Sequence, residues 1–232
     1  MHIFYMSRVE GALLELEEQE SKHAIRVLRL TRGDRVTLVD GRGGWYEAVI
    51  TGDHPKHCNL KIENSRQDYQ PLAYHLHLAV APTKNTDRFE WFLEKATEIG
   101  ISEVTPLICH RSERKQVNHE RLEKILISAM KQSLKAYLPK LHPAVGFHDF
   151  VQSGQKGTLG IAHGQIQGQR SVHELDHSGA YTLLVGPEGD FSEEELQEAR
   201  QAGYVPFHLG ASRLRTETAA LYITAAIALH HL

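Results

Sequence analysis

Near its carboxyl end, the chain carries two apolar runs that each lead into a glycine-containing loop. The run at 181–185 is followed by Gly186-Pro187-Glu188-Gly189-Asp190-Phe191, and the run at 206–209 is followed by Gly210 and the string 211–219. Each run is typical of a buried strand, and a helix is predicted after each loop. In open α/β sheets, loops at the carboxyl ends of strands form the ligand crevice. Glycine lets main-chain groups come close to a ligand there, so the two loops predict a small-molecule site.

From about residue 72 onward, apolar strands alternate with amphipathic helices, which is typical of an α/β fold with a mostly parallel sheet. Strands are predicted at 76–80, 103–108 and 159–162. Helices are predicted at 87–99, 121–138 and 216–229, and another begins at Ser192, which forms a capping box with Glu195. The last helix is apolar on nearly every side, so it is expected to be buried within the domain or against a partner chain. Residues 71–232 are therefore predicted to form one domain.

Residues 1–70 are β-rich and are predicted to form a separate small domain. Short apolar runs at 36–39, 46–50 and 60–62 are divided by glycine-containing turns, and this close spacing indicates a small β-barrel. One helix, at 20–30, interrupts the strands. Gly41-Arg42-Gly43-Gly44 lies between two strands, so a hairpin turn explains it better than a phosphate-binding loop.

Composition argues against several classes of protein. The chain has no apolar run of the roughly 18 residues that a membrane span needs, and its start lacks the features of a signal peptide. Cys58 and Cys109 are far apart, which fits a reducing compartment, so we expect a cytoplasmic protein away from membranes. The 16 histidines include no pair at zinc-protease spacing with a partnering acid, so no metal site is expected. A Walker A sequence and a Gly-x-Ser-x-Gly elbow are both missing.

Charge is unevenly distributed, although the net charge is only −3. Residues 111–140 carry eight Lys or Arg against three acids, whereas residues 151–232 carry five against nine. Such asymmetry is a mark of a polyanion-binding face, and a solvated helix with scattered charge is the alternative explanation.

The two carboxyl-terminal segments, read together, resemble the signature motifs of the bacterial 16S ribosomal RNA (uracil-N3) methyltransferases. These are SPOUT-class enzymes that use S-adenosylmethionine. The matching residues are Gly186-Pro187-Glu188-Gly189 with Phe191, and Leu209-Gly210 with 214–219. Further matches lie at 89–100, 105–107, 112–114 and 129–139, while 26–29, Gly33-Asp34 and Asp40-Gly41 resemble the family's PUA-like barrel. Two positions depart from the pattern: Asp190 replaces a usual glycine, and Lys135 replaces a common arginine.

The resemblance implies a carboxyl-terminal trefoil knot, a homodimer, and an S-adenosylmethionine pocket lined by main chain. It also implies a substrate, a specific uridine of 16S ribosomal RNA in an assembled small subunit. The residues expected to bind the cofactor are Ala162, His163, Gly186, Pro187, Glu188, Gly189, Leu209, Gly210, Leu214, Arg215 and Thr216.

Arg215 and Glu217 are the candidate catalytic residues. Glu217 would handle the N3 proton of uracil, with a helix-terminal acid stabilised by the helix dipole as the alternative. Arg215 would stabilise the uracil anion or hold a phosphate, with a structural ion pair as the alternative. The residues expected to bind RNA are Arg8, Lys22, Arg26, Arg29, Lys84, Arg88, Arg111, Arg114, Lys131 and Lys135. Two other functions fit the same scaffold: a SPOUT methyltransferase acting on transfer RNA, and a non-catalytic RNA-binding assembly factor.

Overall fold

The computed structural model describes residues 1–164, 170–176 and 178–232, which divide into two compact units. The first unit contains Met1–Pro71 together with Met130–Leu138, and the second contains Leu72–Ala129 together with Pro139–Leu232. The sequence predicted a break near residue 70 but gave no sign that nine residues from farther along the chain pack with the first unit.

The first unit is built on a five-stranded sheet. Its elements are β1 (Ile3–Tyr5), β2 (Leu13–Glu15), α1 (Glu18–Lys22), β3 (Arg35–Val39), β4 (Trp45–His54) and β5 (His57–Arg66). The strand order is β1-β3-β4-β5-β2, and every pairing is antiparallel except the parallel pair β1–β3. Residues 41–44 form the turn between β3 and β4, as predicted. Phe4, Leu38 and Leu60 are fully buried in the core of this unit.

The helix predicted at 20–30 is shorter and irregular. It begins as α1, continues as a π-helical turn over His23–Val27, and ends before Arg29, whose φ is 58°. A non-glycine residue in the left-handed region cannot continue a right-handed helix, so the helix stops there. Ser21 anchors α1 because its hydroxyl donates to the carbonyl of Leu16 and accepts from the amide of Cys58.

The second unit contains an eight-stranded sheet among the residues that the structure describes. Its strands are β6 (His75–Val80), β7 (Glu103–Ile108), β8 (Lys140–Leu141), β9 (Val145–Gly146), β10 (Thr158–Ala162), β11 (Arg170–Ser171), β12 (Ala180–Val185) and β13 (Val205–His208). The order is β11-β13-β10-β12-β6-β7-β8, with β9 also beside β7, and all pairs are parallel. The prediction of an α/β fold with a parallel sheet is confirmed.

Helices connect these strands. They are α2 (Thr86–Ile99), α3 (His119–Gln132), α4 (Phe147–Gln152), α5 (Glu193–Gln201) and α6 (Thr216–His230). Asn85 caps α2 and Gly100, with a φ of 137°, ends it. The capping box of Ser192 and Glu195 at the start of α5 is present as predicted.

The helix predicted at 121–138 was placed wrongly at its carboxyl end. It ends at Gln132, and Leu134 has a φ of 57°, which a continuing helix does not allow. The following residues turn into the first unit, where Met130 and Ala136 pack with Val39 and Trp45. Leu134, which the prediction placed on the buried face, is exposed, and Ala136 is buried beyond the end of the helix, so the apolar residues after Gln132 do not mark a helical face.

Helix α6 packs against α2 and over β6 and β12, so its apolar character is largely accounted for within the second unit. Ala220, Ile223 and Ile227 are buried, whereas Tyr222 and Leu229 are exposed. The trefoil knot stays a prediction, since strand order and pairing alone do not establish threading. In the part of the chain described, no helix has both the length and the apolarity needed to cross a membrane.

Candidate functional site

A cavity of about 380 Å³ lies at the carboxyl ends of β10, β12 and β13. This is the edge at which open parallel sheets bind ligands. Its wall is formed by three loops, one from each strand. The lining residues are Ala162, His163, Gly164, Val185, Gly186, Pro187, Glu188, Gly189, Asp190, Leu209, Gly210, Ala211, Ser212, Arg213, Leu214, Thr216 and Ala219.

The loop after β12 is held in a tight turn. The amide of Asp190 donates to the carbonyl of Pro187 at 2.9 Å, and Phe191 is buried beneath the loop. A side chain added at Gly186 would lie 3.0 Å from the ring of Phe191, so glycine keeps the main chain close to the core. The loop is therefore compact, and its residues from Gly186 to Asp190 all line the cavity.

The loop after β13 is fixed to the loop after β12. The buried hydroxyl of Thr216, the first residue of α6, donates to the carbonyl of Gly186 at 3.0 Å. Gly210 has a φ of 103°, a conformation that side-chain-bearing residues rarely adopt, and its amide hydrogen-bonds Nδ1 of His208 at 3.1 Å. These contacts set the two glycine loops face to face across the cavity.

Asp190, which stands where the resemblance expects glycine, joins the third loop to the other two. Its φ is 62°, so the backbone adopts the left-handed conformation that glycine favours and that Asp tolerates. Its Oδ2 lies 2.9 Å from Nδ1 of His163, although without hydrogen-bond geometry, and accepts from the amide of Gly164 at 3.5 Å. The glycine-like turn is thus kept, and an acid is added at the cavity wall.

Of the eleven residues predicted to bind the cofactor, the structure brings ten together along this cavity. Arg215 is the exception, because its exposed side chain is not part of the lining. Sequence reasoning placed Gly164 at the wall of the pocket but missed Val185, Asp190, Ala211, Ser212, Arg213 and Ala219. All six adjoin residues of the motifs, so taking each loop whole, with one helical turn beyond it, would have found them.

The two candidate catalytic residues start α6 but have different surroundings. Arg215 is the residue that precedes the helix, and it is exposed. The side chain of Glu217 is only 8% exposed, and its Oε1 lies 3.9 Å from Nε of Arg88 on α2. Glu217 does not line the cavity, although Thr216 and Ala219 on either side of it do.

Several cations predicted to bind RNA also hold the cavity loops. Arg111 donates through Nη1 to the carbonyls of Gly189 at 2.8 Å and Phe191 at 3.2 Å. Arg114 donates to the carbonyl of Lys84 through Nε and Nη2. Lys84 in turn pairs with Glu113 at 2.8 Å, and its amide donates to the carboxylate of Glu188 at 3.1 Å. These side chains therefore support the site whether or not they also reach RNA.

In the first unit, the predicted cations differ in how strongly they are paired. Lys131 pairs with Glu20 at 2.7 Å and both are mostly buried, while Lys22 pairs with Glu18 and Arg8 with Glu10 at the surface. Arg26 and Arg29 are exposed. Lys135 is half-buried, and burial lowers the pKa of its ammonium group.

Comparison with known proteins agrees with this architecture. The RNA methyltransferase domain family matches residues 70–228, and the RNA methyltransferase PUA domain family matches residues 16–63. The fold and the cavity thus define an RNA methyltransferase with a PUA domain.

Relatives that match nearly the whole chain identify a more specific family among the RNA methyltransferases. The chain is 32% identical to the ribosomal RNA small subunit methyltransferase E of Rickettsia conorii, over 98% of this chain and 94% of that protein. A probable rRNA-methyltransferase from Porphyromonas gingivalis superposes with a TM-score of 0.92 at 38% identity, covering 100% of this chain and 98% of the other. The Neisseria gonorrhoeae ribosomal RNA small subunit methyltransferase E, solved with S-adenosyl methionine, superposes with a TM-score of 0.89 at 28% identity, covering 98% and 96%. The chain belongs to the ribosomal RNA small subunit methyltransferase E family, as the sequence motifs predicted.

Proposed function

We propose that the protein transfers a methyl group from S-adenosylmethionine to N3 of one uridine in 16S ribosomal RNA, within an assembled small subunit. The observation that carries this proposal is the cavity at the strand ends, whose two glycine loops are joined by the hydrogen bond from the Thr216 hydroxyl to the Gly186 carbonyl. It is supported by the likeness, over nearly the whole chain, to a relative solved with S-adenosyl methionine. We place the reaction in the cytoplasm and the active form in a homodimer.

The residues present fit the proposed cofactor. The cavity volume is within the range of roughly 300–1,000 Å³ typical of small-molecule sites. Main-chain groups at Gly186, Gly189 and Gly210 would hold the polar parts of the molecule, and Val185, Leu214 and Ala219 supply apolar contact. When bound, S-adenosylmethionine supplies an electrophilic methyl group on a sulfonium, so the protein has mainly to orient the acceptor.

The chain's own residues then act on the base. The N3 proton of uracil must be removed, and we assign this role to Glu217, the carboxylate in the first turn of α6. Arg215, exposed at the same helix end, would stabilise the negative charge that develops on O2 or O4. The target base must leave its stack or already be unpaired to reach these groups. The basic side chains of both units would contact phosphates, which position the RNA without specifying its sequence.

The decisive experiment incubates the purified protein with radiolabelled S-adenosylmethionine and small ribosomal subunits from a strain that lacks this methylation. We expect label in 16S ribosomal RNA at a single uridine, mapped by nuclease digestion and mass spectrometry as 3-methyluridine. Subunits from a methylation-competent strain are the matched control and should take up almost none. Parallel reactions with free 16S ribosomal RNA and bulk transfer RNA define the substrate. Label confined to transfer RNA would refute the proposed substrate, and failure to bind the cofactor in calorimetry would refute methyl transfer altogether.

A further inference from the structure

A second cluster of reactive side chains lies at the opposite edge of the parallel sheet, at the amino-terminal ends of β6 and β7. Ligand atoms of His77, Glu103 and His142 all lie within 4.8 Å of one another. His77 and Glu103 are direct partners in the register of β6 and β7, and His142 follows β8, whose Lys140 is in turn the partner of Glu103. Three separate parts of the sheet therefore converge on one point.

Contacts within the cluster hold the side chains in place. Nε2 of His142 contacts Oε2 of Glu103, and the rings of His142 and His77 stack with centroids 5.1 Å apart. The hydroxyl of Thr105 lies 2.7 Å from Nε2 of His77 and fixes the orientation of that ring. His75 is on the same face of β6 as His77, because side chains alternate along a strand, and its Nε2 is 3.0 Å from Oε1 of Glu103.

The surroundings of the cluster suit a cation. His77 is buried and Glu103 and His142 are half-buried, so the three ligand groups lie at the edge of the core rather than in open solvent. The cluster also borders a cavity of about 660 Å³, which gives a solvated ion access and leaves room for water as a further ligand.

We propose that His77, Glu103 and His142 bind a divalent transition-metal ion of the zinc class, independently of methyl transfer. Two imidazole nitrogens and one carboxylate oxygen form a donor set that zinc prefers, whereas magnesium and calcium require mostly oxygen ligands. The ion would join β6, β7 and the segment after β8 and so stabilise this edge of the second unit. The positive charge of Lys140, whose Nζ is 4.0 Å from Oε2 of Glu103, would oppose binding of the ion.

No metal site was expected from the sequence, because the histidines include no pair at short ligand spacing with a partnering acid. The three ligands are at positions 77, 103 and 142, and no local motif links them. Only the register of β6 with β7 and of β7 with β8 brings them together.

The test uses the full chain without an affinity tag, freed of metal with a chelator. Titration with ZnCl₂ in a calorimeter should give one saturable site per chain, and CoCl₂ should produce the visible absorption of cobalt bound by nitrogen and oxygen ligands. Zinc should also raise the thermal unfolding midpoint. Wild-type protein without a saturable site of 1:1 stoichiometry would overturn the proposal.

Variants locate the site. Glu103→Gln and His142→Gln should each weaken zinc binding by at least 100-fold, and His75→Gln, which removes only a contact to Glu103, by about tenfold. The matched control is His54→Gln with His57→Gln, since these two rings also stack, with centroids 5.5 Å apart, but lack such a ligand set. Circular dichroism and S-adenosylmethionine affinity verify folding of each variant. If His142→Gln does not fold, Glu103→Gln decides the matter, and full zinc affinity in a folded Glu103→Gln protein would contradict the assignment.

Discussion

Nε of Arg88 lies 3.9 Å from Oε1 of Glu217, so an ion pair joins the first turn of α2 to the first turn of α6. The two residues were predicted to have separate roles, one binding RNA and the other handling a proton. Glu217 is nearly buried and Arg88 is partly exposed, so the arginine compensates a charge that would be costly to bury alone. Any proton transfer at Glu217 would take place beside this cation.

Replacing Glu217 tests its proposed role directly. If Glu217 handles the N3 proton, Glu217→Gln should lower kcat about 100-fold, the lower range for general acid–base groups, while S-adenosylmethionine affinity stays within twofold. Arg88→Gln is the companion variant, because it leaves Glu217 present but unpaired. Normal turnover in Glu217→Gln, with only a lower unfolding midpoint, would assign Glu217 to the helix end instead.

Replacing Arg215 also distinguishes cofactor binding from methyl transfer. Because its side chain is exposed and does not line the cavity, Arg215→Ala should keep cofactor affinity in calorimetry and lose most methyl transfer to small subunits. A loss of about 100-fold corresponds to removal of one stabilising group for a developing anion. Arg213→Ala is a useful contrast, since Arg213 does line the cavity and should affect cofactor affinity. Equal losses of affinity and turnover in Arg215→Ala would place Arg215 in the structure of the pocket.

The extent to which sequence predicted these features follows from the range of the interactions involved. The loops at 186–191 and 209–216 were predicted because glycine placement and apolar runs are local signals. The pair of Arg88 and Glu217 was missed because the two residues are 129 positions apart, and no pattern along the chain encodes that contact. The end of α3 was misplaced because apolar residues continue past Gln132, although Leu134 is exposed and Ala136 is buried outside the helix. The glycine loops could thus be predicted from the sequence, whereas contacts between residues far apart in the chain could not.

Gly210 allows the effect of backbone conformation on binding to be isolated. A side chain there would meet no atom within 4 Å, so Gly210→Ala is opposed only by its positive φ of 103°. We expect about 1 kcal/mol of lost stability and roughly tenfold weaker S-adenosylmethionine binding, because the loop shifts. Gly154 has a φ of 69° and equally open surroundings but lies outside the cofactor cavity. Gly154→Ala should therefore lose stability without losing affinity, and equal affinity losses in both variants would refute the loop's role.

Replacing Lys135 is expected to raise stability in a pH-dependent way and to weaken RNA binding. Burial lowers the pKa of Lys135 in the folded state below the ordinary 10.5. At neutral pH the charged ammonium group is therefore more favourable in the unfolded state, which lowers the free energy of unfolding. Lys135→Met should raise the urea midpoint at pH 7, and the gain should shrink as pH rises towards 10.5, where the wild-type lysine loses its proton in both states. The same variant should weaken binding to small subunits and lower its salt dependence.

Lys131→Met is the control for Lys135→Met. Lys131 pairs with Glu20 at 2.7 Å, so its removal leaves a mostly buried carboxylate unpaired and should lower the urea midpoint at pH 7. If both variants shift the midpoint in the same direction, burial of charge is not what distinguishes the two lysines.

Met130 and Ala136 pack with Val39 and Trp45 in the first unit, although the chain on either side of residues 130–138 belongs to the second unit. Anyone who wishes to produce the methyltransferase half alone by starting translation at Leu72 would leave Met130 and Ala136 facing water. Such a truncated protein should aggregate during purification, because these apolar side chains would be exposed. A soluble fragment would need polar residues substituted at both positions.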